Sequence, residues 1–108
     1  MSEYVRTIFN GILVNEPTYK SGDYVTALHE AFRKTDERID SADGAKQLKS
    51  IRYNGKSNNE GGYSDDRIGN GTGCTANVVL LTEKKIFVAN AGDSRSVLCR
   101  NGNAIALS

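Results

Sequence analysis

The sequence predicts an α+β domain in which helices come first and antiparallel strands follow. Apolar residues recur at helical spacing over the first half of the 108-residue chain, whereas its last third holds four short runs rich in Val, Ile and Leu. The connections between these runs are short, and short connections join antiparallel neighbours. Helices followed by such strands define the α+β class, and we expect a four-strand antiparallel meander.

Three helical segments are predicted in residues 1–51. The first, SEYVRTIFNGIL, has the i, i+4 apolar pairs of an amphipathic helix, and the segment at residues 15–19, which contains the only proline, Pro17, ends it. A shorter third helix is expected from about Ala42 to Ile51. The second helix begins after the segment SGD and has the clearest pattern. Its apolar face is formed by Tyr24, Leu28, Phe32, Thr35 and Ile39.

Residues 52–72 are predicted to form a flexible loop rich in glycine and asparagine, and residues 73–108 to form the strands. The loop segment has no apolar period, and loops longer than about 12–15 residues are uncommon unless they are functional or disordered. The composition favours disorder. In the strand region, Asn101-Gly102 predicts a two-residue hairpin, because both central residues of a type I′ turn need positive φ.

The overall charge excludes partners that would be recognised by a strong electrostatic field. Fourteen basic and thirteen acidic residues give a net charge of +1, so neither nucleic acid nor an anionic membrane is expected as a partner. No apolar run approaches the roughly 18 residues of a membrane span. Cys74 and Cys99 lie far apart in apolar runs, which favours buried thiols over a zinc site. We expect an intracellular protein, cytoplasmic or nuclear.

The segment VANAGDSRSVLCRNG places an aspartate, Asp93, on a short connection between two predicted strands. Two interpretations are open. The carboxylate can stabilise the turn by accepting hydrogen bonds from backbone amides two residues on, next to a glycine with an unusual φ. Alternatively, a carboxylate held between strands is a suitable ligand for a hard cation.

Other candidate sites are less well supported by the sequence. The segment GNGTGC at residues 69–74 lacks the Lys-Ser/Thr of a phosphate loop and precedes a strand instead of a helix. His29 lies alone in the second helix, where a solvated position is expected, and Asp65 and Asp66 lie in the polar loop. An acidic group near the end of the second helix is interleaved with bases and is expected to be solvated surface. Its members are Asp36, Glu37, Asp40 and Asp43.

Two segments in the last third resemble the PP2C (PPM) family of metal-dependent protein serine/threonine phosphatases. GTGCTA is similar to the family's SGSTA segment, and VANAGDSRSVLCRNG is similar to its VANxGDSRAVLxRxG segment, in the same order and at the same distance. The upstream segment YKSGDYVTALHEAFRKTDE is similar to the family's helix before the sheet. The resemblance therefore covers essentially all of residues 1–108.

This resemblance implies a β-sandwich of two antiparallel sheets flanked by helices, with a centre of Mg²⁺ or Mn²⁺ ions at one end. In such enzymes a metal-activated water attacks the phosphorus of phosphoserine or phosphothreonine in a phosphoprotein substrate. Asp93 matches the aspartate of GDSR, which helps to hold an accessory metal. Arg95 is expected to pair with a neighbouring carboxylate or carbonyl, and Ser94 to cap the turn.

The family's DGHGG segment, its upstream acidic and arginine motif and its downstream DG and DN metal motifs have no match in this sequence. We therefore expect an internal part of a phosphatase catalytic domain that is inactive by itself, with no catalytic residue to assign. The alternative is a pseudophosphatase, or a regulatory or protein-binding module on the same scaffold. Exposed sheet edges would then allow self-association.

Overall fold

The computed structural model describes residues 1–53 and 73–108, which form four helices followed by four strands. The helices are α1 (Ser2–Asn15), α2 (Pro17–Lys20), α3 (Tyr24–Ile39) and α4 (Ala42–Tyr53). The strands are β1 (Ala76–Leu81), β2 (Ile86–Ala91), β3 (Val97–Arg100) and β4 (Asn103–Ala106). This order confirms the α+β class. Two compact units are present, Met1–Cys74 and Thr75–Ser108.

The break between α1 and α2 follows from Pro17. The proline ring disfavours helical dihedrals in the preceding residue, and Glu16 is extended, with φ −63° and ψ 132°. Pro17 itself begins α2, where its missing N–H costs no helical hydrogen bond. The predicted break at residues 15–19 is therefore present, although most of it is one short helical turn. Residues 52 and 53, predicted as loop, belong to α4, and the remaining loop residues lie outside the described part of the chain.

The core of the helical unit lies between α1 and α3, with α4 packed against both. The rings of Phe9 and Phe32 meet edge to face, with centroids 5.3 Å apart, and Tyr4 is completely buried. Removal of this apolar surface from water stabilises the unit. The buried apolar side chains are Tyr4, Phe9, Leu13, Ala27, Leu28, Ala31 and Leu48. Two residues of the predicted α3 face, Leu28 and Thr35, are buried, and Thr35 donates a hydrogen bond to the Ala31 carbonyl.

The strand unit consists of two antiparallel hairpins that form separate two-stranded sheets. β1 pairs with β2 from Ala76↔Ala91 to Leu81↔Ile86, and β3 pairs with β4 from Val97↔Ala106 to Arg100↔Asn103. The four predicted strands are present, and positive φ at Asn101 (51°) and Gly102 (76°) agrees with a type I′ turn. A continuous meander is not formed, because β2 and β3 do not pair. The chain leaves the first sheet at Gly92, whose φ is 107°.

The prediction that both cysteines are buried is wrong, because Cys74 and Cys99 are exposed. Cys74 precedes β1 and so lies outside the sheet. Cys99 shares a face of β3 with Val97, since alternate residues of a strand lie on one face, and Val97 is itself 59% exposed. An apolar run of residues therefore predicted the strand but not the burial of its side chains.

None of the helices in residues 1–53 and 73–108 is long and apolar enough to cross a membrane.

Candidate metal-ligand turn

The connection that carries Asp93 runs from Gly92 to Ser96 and joins β2 of one sheet to β3 of the other. The connection begins at Gly92, whose φ is one that residues with a side chain rarely adopt. A Cβ at Gly92 would also lie 2.6 Å from Cγ2 of Thr75, well inside van der Waals contact. Both the positive φ and the lack of space beside Thr75 require glycine at this position. The unusual φ was expected from the sequence.

Hydrogen bonds hold alternate residues of this connection. The Gly92 carbonyl accepts a bond from Nδ2 of Asn90 at 3.1 Å, and the Ser94 hydroxyl lies 2.7 Å from Oγ1 of Thr75. The Ser96 backbone amide donates to Oγ of Ser108 at 2.9 Å. Both ends of the connection and its centre are therefore held by residues of the same unit.

A polar group on β1 and β2 supports the far end of the connection. Asn77 Nδ2 donates to Oδ1 of Asn90 at 2.9 Å, across a directly opposite pair of the ladder, and Oδ1 of Asn77 accepts from the Ser96 hydroxyl. The Ser96 carbonyl in turn accepts a bond from the backbone amide of Leu107 at 2.9 Å. The two sheets are thus joined by hydrogen bonds although they share no strand pairing.

Asp93 and Arg95 are both exposed, and within residues 1–53 and 73–108 neither side chain makes a hydrogen bond or an ion pair. The predicted stabilisation of the turn by Asp93, and the predicted pairing of Arg95, are therefore not found there. Ser94 does hold the turn, but through Thr75. The carboxylate of Asp93 is exposed and has no partner among the described residues.

The donor chemistry of Asp93 suits a hard cation, since Mg²⁺ and Mn²⁺ prefer carboxylate oxygens. One carboxylate supplies one position of a coordination shell. In the part of the chain that the structure describes, no three His, Cys, Asp or Glu side chains come together as a metal site would require. Asp93 therefore fits the role of a single ligand.

The other sequence candidates lie elsewhere or are solvated. His29 is exposed on α3, as predicted. The acidic residues near the end of α3 are partly paired with bases: Arg38 contacts Asp43 at 2.6 Å, and Arg33 contacts Glu37. Asp65, Asp66 and most of GNGTGC lie outside the described residues.

Comparison with known proteins identifies the family. The family model for protein phosphatase 2C matches residues 1–108, and the chain therefore belongs to the protein phosphatase 2C family. It is 35% identical over its whole length to a probable protein phosphatase 2C 3 of Paramecium tetraurelia, covering 32% of that protein. It is 37% identical over 94% of its length to protein phosphatase 2C 1 of the same organism, covering 30% of it.

A plant relative has similar coverage. The probable protein phosphatase 2C 21 of Arabidopsis thaliana is 34% identical over 89% of the chain, which covers 34% of that protein. The chain thus spans about a third of the length of these relatives. No solved structure matches it.

The sequence offered Asp93 as a candidate ligand but did not indicate the residues that hold its turn. Thr75 and Asn77 are polar positions at the start of an apolar strand, in the segment CTANVVLL. Polar side chains at a strand end are an available signal, but their partners Ser94 and Ser96 are 19 residues away. Only the strand register brings these pairs together.

Proposed function

We propose that this chain is part of a metal-dependent protein serine/threonine phosphatase and that Asp93 is one ligand of an accessory Mg²⁺ or Mn²⁺ ion. Membership of the protein phosphatase 2C family supports the phosphatase activity. The carboxylate of Asp93 is exposed, has no partner among the described residues and lies on a connection held by hydrogen bonds on both sides, which supports the ligand role. Bound divalent metal lowers the pKa of a coordinated water and neutralises phosphoryl charge.

The contribution of this chain to the proposed reaction is a fixed position for one carboxylate. A ligand that is already oriented loses little conformational freedom when the cation binds, so its affinity is greater than that of a carboxylate on a free loop. The substrate would be a phosphoprotein. The primary metal aspartates and the histidine of the family's DGHGG segment have no match here. We therefore propose that the 108-residue chain alone has no phosphatase activity.

Hydrolysis of p-nitrophenyl phosphate with Mn²⁺ tests this proposal in the longer protein that contains these residues. Asp93→Asn is expected to lower the rate about tenfold or more at limiting Mn²⁺, with partial recovery at high Mn²⁺, because one metal ligand is lost. The matched control is Asp36→Asn, an exposed carboxylate of α3, which should keep the wild-type rate. Equal rates for Asp93→Asn and wild type at every Mn²⁺ concentration would contradict the ligand role.

A second candidate function is a protein-binding module that acts through the strand unit. Three large apolar side chains on one face of the β1–β2 hairpin are exposed: Val79 by 47%, Leu81 by 68% and Ile86 by 44%. Exposed apolar patches and sheet edges promote association. The occupant that we propose for this face is a second copy of the chain.

A further inference from the structure

We infer that Thr75 is a positioning residue for Asp93, an inference that rests on the proposed role of Asp93 as a metal ligand. Thr75 immediately precedes β1, whereas Asp93 follows β2. The antiparallel register of β1 and β2 places Ala76 opposite Ala91, so the residues just beyond this pair are brought close together. Thr75 is therefore adjacent to the first residues of the connection that carries the carboxylate.

Thr75 contacts the residues on both sides of Asp93. Its hydroxyl oxygen is 2.7 Å from the hydroxyl of Ser94, the residue after Asp93. Its methyl group lies so close to Gly92, the residue before Asp93, that a Cβ there would be 2.6 Å from Cγ2. Both groups belong to one β-branched side chain, whose χ1 is restricted. Hydroxyl and methyl therefore act together: the hydroxyl holds the side chain of Ser94, and the methyl group lies against Gly92.

The residues of the connection alternate between those held by contacts and those that are exposed, and Asp93 belongs to the exposed group. Gly92, Ser94 and Ser96 are held by other residues of the unit, whereas Asp93 and Arg95 between them are exposed and have no side-chain partner in the described chain. The hydroxyl contact of Thr75 acts at the centre of the connection, whereas the other hydrogen bonds between described residues act at its two ends. Without it, the Asp93 backbone would be held only at the ends of the connection.

Nuclear magnetic resonance of the 108-residue chain tests the inference. Thr75→Val keeps the branched shape and removes the hydroxyl. Loss of this hydrogen bond is expected to increase the motion of the backbone at Asp93, Ser94 and Arg95, measured as lower amide order parameters. Mn²⁺ broadens nearby resonances even when it binds weakly. In Thr75→Val the broadening of the Asp93 amide is expected to need a Mn²⁺ concentration about threefold to tenfold higher, the equivalent of one hydrogen bond.

Two variants separate a positioning role from a general loss of structure. Thr75→Ser keeps the hydroxyl and should restore the Mn²⁺ titration toward the wild type. Thr82→Val removes a hydroxyl from the other end of the same hairpin, where Oγ1 of Thr82 accepts a bond from the Lys85 amide at 3.0 Å. This control should leave the order parameter of the Asp93 amide and the Mn²⁺ titration unchanged. Circular dichroism of all variants verifies that the fold is retained.

The possible outcomes distinguish this inference from the proposed function. Wild-type order parameters and wild-type Mn²⁺ broadening in Thr75→Val would overturn the role of Thr75 alone. An unchanged Mn²⁺ titration in Asp93→Asn would instead overturn the assignment of Asp93 as a ligand. If Thr82→Val alters Asp93 as much as Thr75→Val does, the effect belongs to the whole hairpin and the positioning role is overturned.

Discussion

At the scale of single residues, Gly44 occupies a position where no side chain fits. It lies in the first turns of α4, and a Cβ there would overlap the backbone carbonyl oxygen of Arg38 and lie 2.8 Å from that of Ile39. Both atoms are backbone atoms at the end of α3, so they cannot move without shifting the helix. The close approach of α3 and α4 at this turn therefore depends on glycine.

Gly44→Ala is expected to lower the free energy of unfolding by about 1–3 kcal/mol, because the extra methyl group must displace backbone. Gly11→Ala is the matched control in α1, where nothing lies within 4 Å of the new Cβ. There alanine should stabilise the chain by about 0.5–1 kcal/mol, since it costs less backbone entropy in a helix. Urea unfolding measures both. Equal effects at the two positions would contradict the close approach at Gly44.

Asp23 makes the stability of α3 depend on pH. Its side chain accepts a hydrogen bond from the Thr26 backbone amide at 3.2 Å, and bonds from the Thr26 side chain and backbone lower the pKa of Asp23 below 3.8. A group whose pKa is lowered by folding stabilises the folded state above its unfolded pKa. That contribution is lost as the pH falls through the folded pKa.

Asp23→Asn should therefore be less stable than the wild type at pH 7 and should approach it well below pH 3.8. Asparagine still accepts the capping bond but does not titrate, which isolates the effect of charge. The measurement is the urea midpoint of both proteins at the two pH values. A difference in midpoint that is independent of pH would contradict the shifted pKa.

At the scale of elements, an ion pair joins the break between α1 and α2 to α3. Both carboxylate oxygens of Glu16 contact Nζ of Lys34, at 2.7 and 2.9 Å. The Glu16 side chain is only 7% exposed, whereas that of Lys34 is 42% exposed. Proline at position 17 forces Glu16 into an extended conformation, and Lys34 satisfies the carboxylate where it is buried.

Lys34→Met is expected to lower the free energy of unfolding by about 1–3 kcal/mol, because it leaves a buried carboxylate without its partner. The control is Arg6→Met, which breaks the exposed pair between Arg6 and Glu3 and should change stability by less than about 0.5 kcal/mol. Thermal or urea unfolding distinguishes the two. Similar small effects for both variants would show that the Glu16 pair does not hold the helices together.

At the scale of the whole molecule, the strand unit exposes apolar surface that a folded domain normally covers. We expect the 108-residue chain to self-associate at high concentration through the face that contains Val79, Leu81 and Ile86. Leu81→Lys should shift the chain toward the monomer, as measured by light scattering. Val25→Lys changes an equally exposed residue of α3, 67% against 68%, and should have no such effect. A monomeric wild type at high concentration would contradict self-association.

Local patterns in the sequence were sufficient to predict the three longer helices and the four strands in order, because helical and strand periodicity, Pro17 and Asn101-Gly102 act locally. It also marked Asp93 through its resemblance to a family. Tertiary structure alone decided that β2 and β3 belong to different sheets, that Cys74 and Cys99 are exposed, and that Thr75 reaches Ser94. Each of these depends on contacts between residues distant in sequence or on which face of a strand is covered, and local periodicity contains neither.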